Sequence, residues 1–274
     1  METRSLLFTD SKGNTLEYCL YGSGKRHLLC FPGFGEYFKS FENISKHLQS
    51  YTLISINLYF IGESKRAKKG KLKNQEWKRT LSEFLDHLSV DRFSVLGYSL
   101  GGRFALSTLS GFPHRMDHVI FVAADGIAKR FTYELATFPI FFRQLFWFLM
   151  KYPSPYFLMV DLLASMNIIN SYIANFSKSQ MSHAKTRMTI YNSWITFKYL
   201  RISNNKLLQL AKNDDTRCTF IFGEKDKIIS PKRHHYLFKK LNDNQVYILP
   251  FGHNKLVDNS IDQIQNILES PLDF

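Results

Sequence analysis

Residues 93–102 read Phe93-Ser94-Val95-Leu96-Gly97-Tyr98-Ser99-Leu100-Gly101-Gly102, a short apolar run that ends in a G-x-S-x-G pentapeptide. A helix-like sequence follows at once. A serine on a sharp turn from strand to helix needs neighbours without side chains, and Gly97 and Gly101 meet that need. The pattern makes Ser99 a candidate nucleophile, although a glycine-rich turn with an exposed serine would carry the same five letters.

The chain on both sides of this turn alternates between predicted strands and predicted helices. The predicted strands are 5–9, 15–21, 27–31, 52–58, 93–96, 118–123, 219–222 and 245–249. The predicted helices are 41–48, 75–88, 99–109, 260–268 and one that Pro231 opens. The first two strands form a hairpin. The strand and helix units after it predict an α/β fold with a doubly wound, mostly parallel eight-stranded sheet.

The alternation stops between Gly126 and Asp214, where the sequence is helix-like and rich in aromatic residues. We therefore predict a core domain made of 1–126 and 214–274, and a helical cap inserted as 127–213. The punctuation Pro153-Ser154-Pro155 divides the cap into at least two helical pieces. Its aromatic side chains suit either a buried core between cap and sheet or a pocket for a lipid-like substrate.

Cysteines and apolar segments give expectations about cofactors and compartment. The three cysteines, Cys19, Cys30 and Cys218, are far apart, so neither a disulfide framework nor a zinc site is expected, and no metal or cofactor is predicted. The first residues lack a basic segment followed by a long apolar one, which makes a cytoplasmic location the default expectation. The most apolar segment, 138–150, is too short for a membrane-spanning helix.

A serine nucleophile needs an imidazole to take its proton and a carboxylate to orient that imidazole. His253 follows the predicted strand 245–249, which places it at a carboxyl end of the sheet, where ligands of such sheets bind. The other histidines that we compared lie on predicted helices, at strand starts or in the cap: His27, His87, His118, His183, His234 and His235. Asp226, just past the strand 219–222, is the preferred acid, with Glu224 and Asp125 as competitors.

The order and context of these residues resemble the α/β-hydrolase superfamily, with G-x-S-x-G, then G-x-x-D, then G-H. The resemblance covers essentially the whole chain and places 127–213 where that family carries its cap. It implies acyl transfer, in which Ser99 attacks, His253 moves the proton and Asp226 holds the imidazole. The expected substrate is a small acyl compound, and the expected activity is hydrolysis of a carboxylic ester or thioester through an acyl-enzyme on Ser99.

Two backbone N–H groups are expected to bind the oxyanion. Leu100 opens the helix after Ser99, and its N–H is the natural first donor. In the family that this chain resembles, the second donor comes from an H-G-x sequence after the third strand. Here that sequence is Pro32-Gly33-Phe34, so a proline replaces the family's histidine, while the Phe34 N–H is still able to donate.

Arg103 supports a different chemistry. The sequence from Gly97 to Arg103 is similar to the elbow of a menaquinone-pathway lyase, succinyl-hydroxy-cyclohexadiene-carboxylate synthase, in which an arginine four residues after the serine contacts a substrate carboxylate. That resemblance makes Arg103, and with it Tyr98, candidate substrate-binding residues, and it implies elimination of pyruvate instead of hydrolysis. A non-catalytic binding protein on the same scaffold is the third hypothesis.

Charge is the last feature of the sequence that bears on partners. The formal charge is +13, and 128–213 holds eleven Lys or Arg against two acids, Glu134 and Asp161. A basic aromatic cap favours an anionic or lipid-like substrate and weak contact with a membrane surface, with no nucleic acid expected. The basic run Lys65–Lys73 is interpreted first as a solvated loop, with attraction of an anion as the alternative. The oligomeric state stays open.

Overall fold

The computed structural model describes residues 4–128, 140–212 and 216–270, and its framework is one eight-stranded sheet. The strands are β1 (Leu6–Thr9), β2 (Thr15–Tyr21), β3 (Arg26–Phe31), β4 (Tyr51–Ile56), β5 (Phe93–Tyr98), β6 (Met116–Val122), β7 (Arg217–Gly223) and β8 (Val246–Leu249). They lie in the order β1-β2-β4-β3-β5-β6-β7-β8. The predicted α/β fold with a mostly parallel eight-stranded sheet is thereby confirmed.

The direction of each strand follows from its connection. β1, β2 and β4 pair antiparallel, because the first two strands form the predicted hairpin. From β4 across β3, β5, β6 and β7 to β8 every pair is parallel. Every residue of β5 is buried, which is why its sequence is mostly apolar and does not alternate between apolar and polar residues. The carboxyl ends of the parallel strands therefore share one edge of the sheet.

Ten α-helices connect or flank the strands in the described residues. They are α1 (Glu42–Ser45), α2 (Asn74–His87), α3 (Gly101–Gly111), α4 (Ile140–Lys151), α5 (Ser154–Ser165), α6 (Ser171–Gln180), α7 (Ala184–Phe197), α8 (Asn204–Ala211), α9 (His235–Phe238) and α10 (Ile261–Glu269). The predicted helix 41–48 was wrong in length, because this stretch is a 3₁₀ turn, Phe38–Phe41, followed by the single turn α1. Neither piece has a side-chain cap at its N-terminus, so nothing there extends the helix.

Aromatic packing joins α2 and α3 to the centre of the sheet. The Trp77 indole lies edge-on to Phe104, with ring centroids 4.9 Å apart, and both rings pack against Phe31 of β3. The Trp77 N–H also donates to the hydroxyl of Thr108, at 2.9 Å. This buried hydrogen bond removes the desolvation cost of the indole N–H, so α3 is held firmly at the end of β5.

The chain divides into two compact units. One comprises Met1–Ala128 and Tyr199–Phe274 and contains the whole sheet, and the other comprises Lys129–Lys198 and contains α4 to α7. Helix α8 belongs to the first unit, since it packs against α3 and β7. The boundaries proposed from the sequence placed 127–213 together, and a cap role for the second unit stays a prediction. Within the described residues, every helix is too short or too polar to cross a membrane.

Candidate active site

Ser99 occupies the turn between β5 and α3, in a backbone conformation that is rare for a serine. Its φ is +49°, in the left-handed region where a side chain costs about 1 kcal/mol or more. Three backbone hydrogen bonds hold this conformation. The Ser99 N–H donates to Val122 O at 3.0 Å, and its carbonyl accepts from Asp125 N at 2.8 Å and Gly102 N at 3.0 Å. The end of β6 therefore fixes the serine in place.

The two glycines of the pentapeptide are required by close contacts. A Cβ at Gly97 would lie 2.6 Å from the Cβ of Ala105, and one at Gly101 would lie 2.0 Å from the carbonyl oxygen of Phe31. Both distances are shorter than Cβ atoms show in proteins, so a larger residue at either position would force its neighbours to move. The contact at Gly101 brings the loop after β3 directly against the first turn of α3.

The structure brings together the three predicted side chains Ser99, Asp226 and His253. The Nε2 of His253 lies 3.0 Å from the Oγ of Ser99, and its Nδ1 lies 2.6 Å from Oδ2 of Asp226. An ionised carboxylate only accepts hydrogen bonds, so Nδ1 carries the proton and Nε2 presents its lone pair to the serine hydroxyl. This tautomer is the one that can remove a proton from Ser99.

Asp226 is buried and satisfied by its own loop. Its Oδ1 accepts from the N–H groups of Ile228, at 2.7 Å, and Ile229, at 2.8 Å. Burial acts to raise the pKa of Asp226. The hydrogen bond and charge of His253 and the two backbone N–H groups outweigh burial, however, and hold the pKa below its usual value. Asp226 is thus ionised and can stabilise a positive charge on the imidazole of His253.

The competing acids lie elsewhere. Glu224 is exposed, and its backbone N–H donates to Leu249 O at 2.8 Å. Asp125 lies buried behind the elbow, where its Oδ2 accepts from Nε of Arg103 at 2.7 Å. The geometry therefore selects Asp226 from the three carboxylates that the sequence left open.

The predicted oxyanion donors stand on the two loops that meet at the elbow. Among the described residues, the N–H groups of Phe34 and Leu100 donate to no protein acceptor. Leu100 is the N-cap of α3, and Phe34 follows Gly33, whose Cα lies against the ring of Tyr98. A developing oxyanion needs two such N–H groups that are not already engaged.

Tyr98 holds the histidine loop, a role that sequence reasoning missed. Its hydroxyl donates to the carbonyl oxygen of His253 at 2.6 Å, and its ring stacks on the imidazole with centroids 5.4 Å apart. The side chain is buried. The predicted substrate contact for Tyr98 stays a prediction, whereas its contacts in the structure position His253. Only its place directly before Ser99 in the G-x-S-x-G pentapeptide signalled that the residue mattered.

Glu36 is a second residue that the sequence did not single out. Its Oε2 accepts from the N–H of Gly33 at 3.3 Å, inside the loop that carries Phe34. Burial raises the pKa of the Glu36 carboxyl above its usual value, although the Gly33 N–H, the Ser40 hydroxyl and the nearby His253 oppose the rise. The Glu36 carboxyl, like that of Asp226, therefore interacts electrostatically with the imidazole of His253.

Arg103 is placed differently from the sequence-based hypothesis. It is buried, and its guanidinium forms an ion pair with Asp125, with Nε 2.7 Å from Oδ2. Gly126 closes over its stem, since a Cβ there would lie 3.0 Å from Cγ of Arg103. The pairing gives Arg103 the role of holding the loop after β6 and disfavours the predicted contact with a substrate carboxylate.

The basic run Lys65–Lys73 is tied largely to its own surroundings. Arg66 is buried among backbone carbonyls and donates to Gly70 O at 2.6 Å, while Lys71 lies 4.7 Å from the ring centre of Tyr199. Lys65 forms an ion pair with Glu63 at 2.5 Å. These contacts favour the interpretation of the run as an ordered surface loop.

Comparisons with known proteins agree with this architecture. A family model described as alpha/beta hydrolase fold matches residues 26–260. The uncharacterized hydrolase YugF of Bacillus subtilis is 23% identical over 235 residues, which cover 82% of each chain. An uncharacterized protein of Mycobacterium tuberculosis is 27% identical over 139 residues, a match that spans 50% of this chain and 40% of that relative. A thermophilic esterase from Thermogutta terrifontis superposes with a TM-score of 0.70 at 16% identity, covering 97% of this chain and 98% of that one.

Proposed function

The chain belongs to the α/β-hydrolase fold family, and on that premise we propose that it is a serine hydrolase that cleaves a carboxylic ester or thioester. The observation that carries the proposal is the continuous relay from Asp226 through His253 to Ser99, with contacts of 2.6 Å and 3.0 Å. Asp226 is 3% exposed and His253 is 7% exposed, so little water competes for the hydrogen bonds of the relay.

The first half of the reaction forms an acyl-enzyme. Ser99 Oγ attacks the substrate carbonyl carbon while Nε2 of His253 accepts the hydroxyl proton. The carbonyl oxygen becomes an oxyanion, which the N–H groups of Phe34 and Leu100 stabilise. The imidazolium formed on His253 is stabilised by the Asp226 carboxylate. When the intermediate collapses, the bond to the leaving oxygen or sulfur breaks, and His253 returns its proton to that atom.

The second half releases the acid. A water molecule takes the position of the departed alcohol or thiol, and His253 removes its proton as the water oxygen attacks the acyl carbon. The second tetrahedral intermediate uses the same two N–H donors. Its collapse breaks the bond between the acyl carbon and Ser99 Oγ, and His253 gives the proton back to the serine. The carboxylic acid leaves, and the enzyme is restored.

Hydrolysis is favoured over the elimination that the elbow sequence also suggested. The elimination hypothesis needs Arg103 to contact a substrate carboxylate, and the ion pair with Asp125 engages that guanidinium. The hypothesis of a non-catalytic binding protein does not explain the short contact between Ser99 and His253. The substrate's acyl group stays undefined, and a neutral or lipid-like ester suits the proposal better than an anionic one.

A panel of substrates tests the proposal. Nitrophenyl esters of increasing chain length, matched esters that carry a carboxylate, and an acyl thioester would be offered to the wild type and to Ser99→Ala. We expect turnover of at least one neutral ester or thioester by the wild type, and none above background by the variant. Turnover that persists in Ser99→Ala would contradict the proposal. Failure of the folded wild type to hydrolyse any of these substrates would contradict it as well.

A further inference from the structure

Exposed apolar side chains are concentrated in the unit Lys129–Lys198. Of the eighteen large apolar side chains that are exposed among the described residues, twelve lie between 141 and 173. Single exposed apolar residues are normal on a protein surface, whereas a concentration of this kind marks a site of interaction. The first unit, with a longer chain, carries the other six.

On α4 these side chains follow one helical face. Phe141, Leu145, Phe148 and Tyr152 are spaced by four, three and four residues, and Phe141 is 69% exposed. The rest of the helix already has a partner, since Phe146 is buried and its ring lies 5.4 Å from that of Trp194 on α7. Helix α4 is therefore apolar on two sides, and among the described residues of the unit only one of these sides packs against a neighbouring helix.

Helix α5 repeats this arrangement. Leu158 and Leu162 are separated by four residues, Met166 follows after four more, and Leu158 is 74% exposed. We call these seven residues the two exposed stripes; five of them lie on α4 and α5, Tyr152 directly follows α4, and Met166 directly follows α5. An apolar helix face that stays in water forgoes the favourable free energy that burial of its large side chains would give. Such stripes therefore indicate a surface that is covered in use.

The charge around the stripes shows which surface would cover them. Residues 140–198 contain six Lys or Arg and one acid, Asp161. That acid is neutralised by an ion pair with Lys178. Arg143, Lys151 and Lys185 are exposed. An apolar surface on a segment with a net positive charge is complementary to an anionic lipid bilayer, in which acyl chains lie beneath negatively charged headgroups.

The end of α4 has the chemistry of a bilayer interface. The ammonium group of Lys151 lies 5.0 Å from the ring centre of Trp147 and 5.3 Å from that of Tyr152. Tryptophan and tyrosine prefer the headgroup level, where the ring is partly apolar and its polar atom stays wet. A lysine beside them places its charge among the phosphates while its stem lies along apolar surface.

A second copy of the chain is a poorer occupant of the same surface. A two-fold contact of the stripes with themselves would bring the Lys151 ammonium groups of both copies, which lie beside Tyr152, into the same interface. No acid is available in 140–198 to offset this, because Asp161 is already paired. Like charges across an interface oppose association.

From these observations we infer that α4 and α5 dock the protein on anionic phospholipid membranes, with the two exposed stripes entering the acyl-chain boundary. The helices lie in the interface plane and do not cross the bilayer. The inference is independent of the chemistry at Ser99. The Ser99→Ala variant is therefore expected to bind vesicles as the wild type does.

Vesicle flotation tests the inference with the full chain. We expect the wild type to float with vesicles of phosphatidylcholine and phosphatidylglycerol, to bind vesicles of phosphatidylcholine alone more weakly, and to lose affinity as salt is raised. The double variant Phe148→Ser/Leu158→Ser should bind about 100-fold more weakly, since each large apolar side chain contributes about tenfold or more. Its matched control is Tyr236→Ser/Ile248→Ser, which removes two exposed apolar side chains of the other unit and should bind normally.

A charge variant gives a second readout in case the double variant is unstable. Lys151→Gln should weaken binding to the anionic vesicles about fivefold and leave phosphatidylcholine binding unchanged. Lys240→Gln is its control, because Lys240 is exposed and lies 4.5 Å from the ring centre of Tyr236 in the other unit. Absence of wild-type binding to anionic vesicles would overturn the inference. So would a concentration-dependent dimer in sedimentation velocity that Phe148→Ser/Leu158→Ser abolishes, since the stripes would then bind a second copy.

Discussion

The turn at Ser99 can form only because Gly101 has no Cβ atom. A methyl group at Gly101 would lie 2.0 Å from Phe31 O and 2.7 Å from Pro32 O, and backbone atoms cannot swing aside as a flexible side chain can. The loop that would move is the one that carries the Phe34 N–H. The same contact therefore links folding to the proposed oxyanion site.

Gly101→Ala should reduce kcat/KM about 100-fold, because a displacement near 1 Å at a reacting centre costs that much. It should also lower the free energy of unfolding by about 1–3 kcal/mol through overpacking. Gly252→Ala is the matched control, since a Cβ there meets no atom within 4 Å although His253 is the next residue. Ester turnover and urea unfolding measure both effects, and equal behaviour of the two variants would contradict the account.

Glu36 gives a prediction on pH. Burial raises the pKa of the Glu36 carboxyl, so the folded state holds that proton more tightly than the unfolded chain does. The unfolding free energy should therefore fall as pH rises above the ordinary pKa of a glutamate, because the unfolded chain loses the proton first. Glu36→Gln cannot ionise, so it should shift the upper end of this profile to a higher unfolding free energy.

The control for this shift is Glu42→Gln, which removes an exposed carboxylate of α1, the next acid along the chain. It should leave the profile in place. A Glu36→Gln profile of unfolding free energy that superposes on the wild type would contradict a raised pKa for Glu36.

At the level of single residues, the sequence identified the catalytic candidates that directly follow strands. It could not identify the residues that hold those candidates in position. Ser99, Asp226 and His253 each stand just past a strand in a recognisable glycine context, which local pattern reading detects. The role of Asp125 depends on Arg103, and the two are paired only because β5 and β6 are neighbours in the sheet. Such contacts need the topology first. The same applies to Tyr98 and Glu36.

At the scale of the element, β6 contains a buried histidine, His118, whose protonation would destabilise the folded state. His118 is 1% exposed, and both ring nitrogens lack a hydrogen-bond partner in the part of the chain that the structure describes. Burial, together with the charges of Arg26 and Arg217, lowers the pKa of His118 from 6.5 to about 4, against a small opposing effect of Asp117. In the unfolded chain the same imidazole would take up a proton near its ordinary value.

The folded state should therefore lose stability as pH falls from about 6.5 towards 4, because only the unfolded state binds the proton in that window. A difference of about 2.5 pKa units corresponds to about 3 kcal/mol at most. His118→Leu should flatten this part of the curve of unfolding free energy against pH. His235→Gln, a change at an exposed histidine, should keep the slope of the wild type. A flat wild-type curve from pH 7 to 4.5 would show that His118 is protonated or hydrated in the folded state.

Among the elements, strands were easier to predict than helices. Each predicted strand is a short apolar run between polar or glycine-rich turns, and each lies within two residues of its bounds in the structure. The stretch 41–48 is different. It contains residues of weak helix propensity, Asn43 and Ser45, and tertiary contacts of Phe38, Phe41 and Ile44 decide its shape.

At the scale of the whole molecule, the proposed catalytic groups all belong to one compact unit. Phe34, Ser99 and Leu100 come from its first segment, and Asp226 and His253 come from its second. The parallel sheet joins the two segments, since β6 pairs with β7 across the intervening sequence. The order of strands therefore explains how residues about 150 positions apart in sequence reach hydrogen-bonding distance.

The unit boundaries were harder to predict than the fold. The sequence showed where strand and helix alternation stopped, but α8 is a helix that packs on the sheet unit, and composition alone could not separate it from α4 to α7. The exposed stripes of α4 and α5 were equally hidden. An apolar helix face has the same sequence whether it is buried or exposed.

The central claim is that Ser99 is a nucleophile activated by His253 and Asp226. The most direct measurement is reaction with a fluorophosphonate, followed by intact mass and peptide mapping. We expect one adduct, on Ser99, with rates about 10³-fold or more slower in His253→Ala and Asp226→Asn. No adduct on the folded wild type, an adduct on another residue, or an unchanged rate in His253→Ala would contradict the claim.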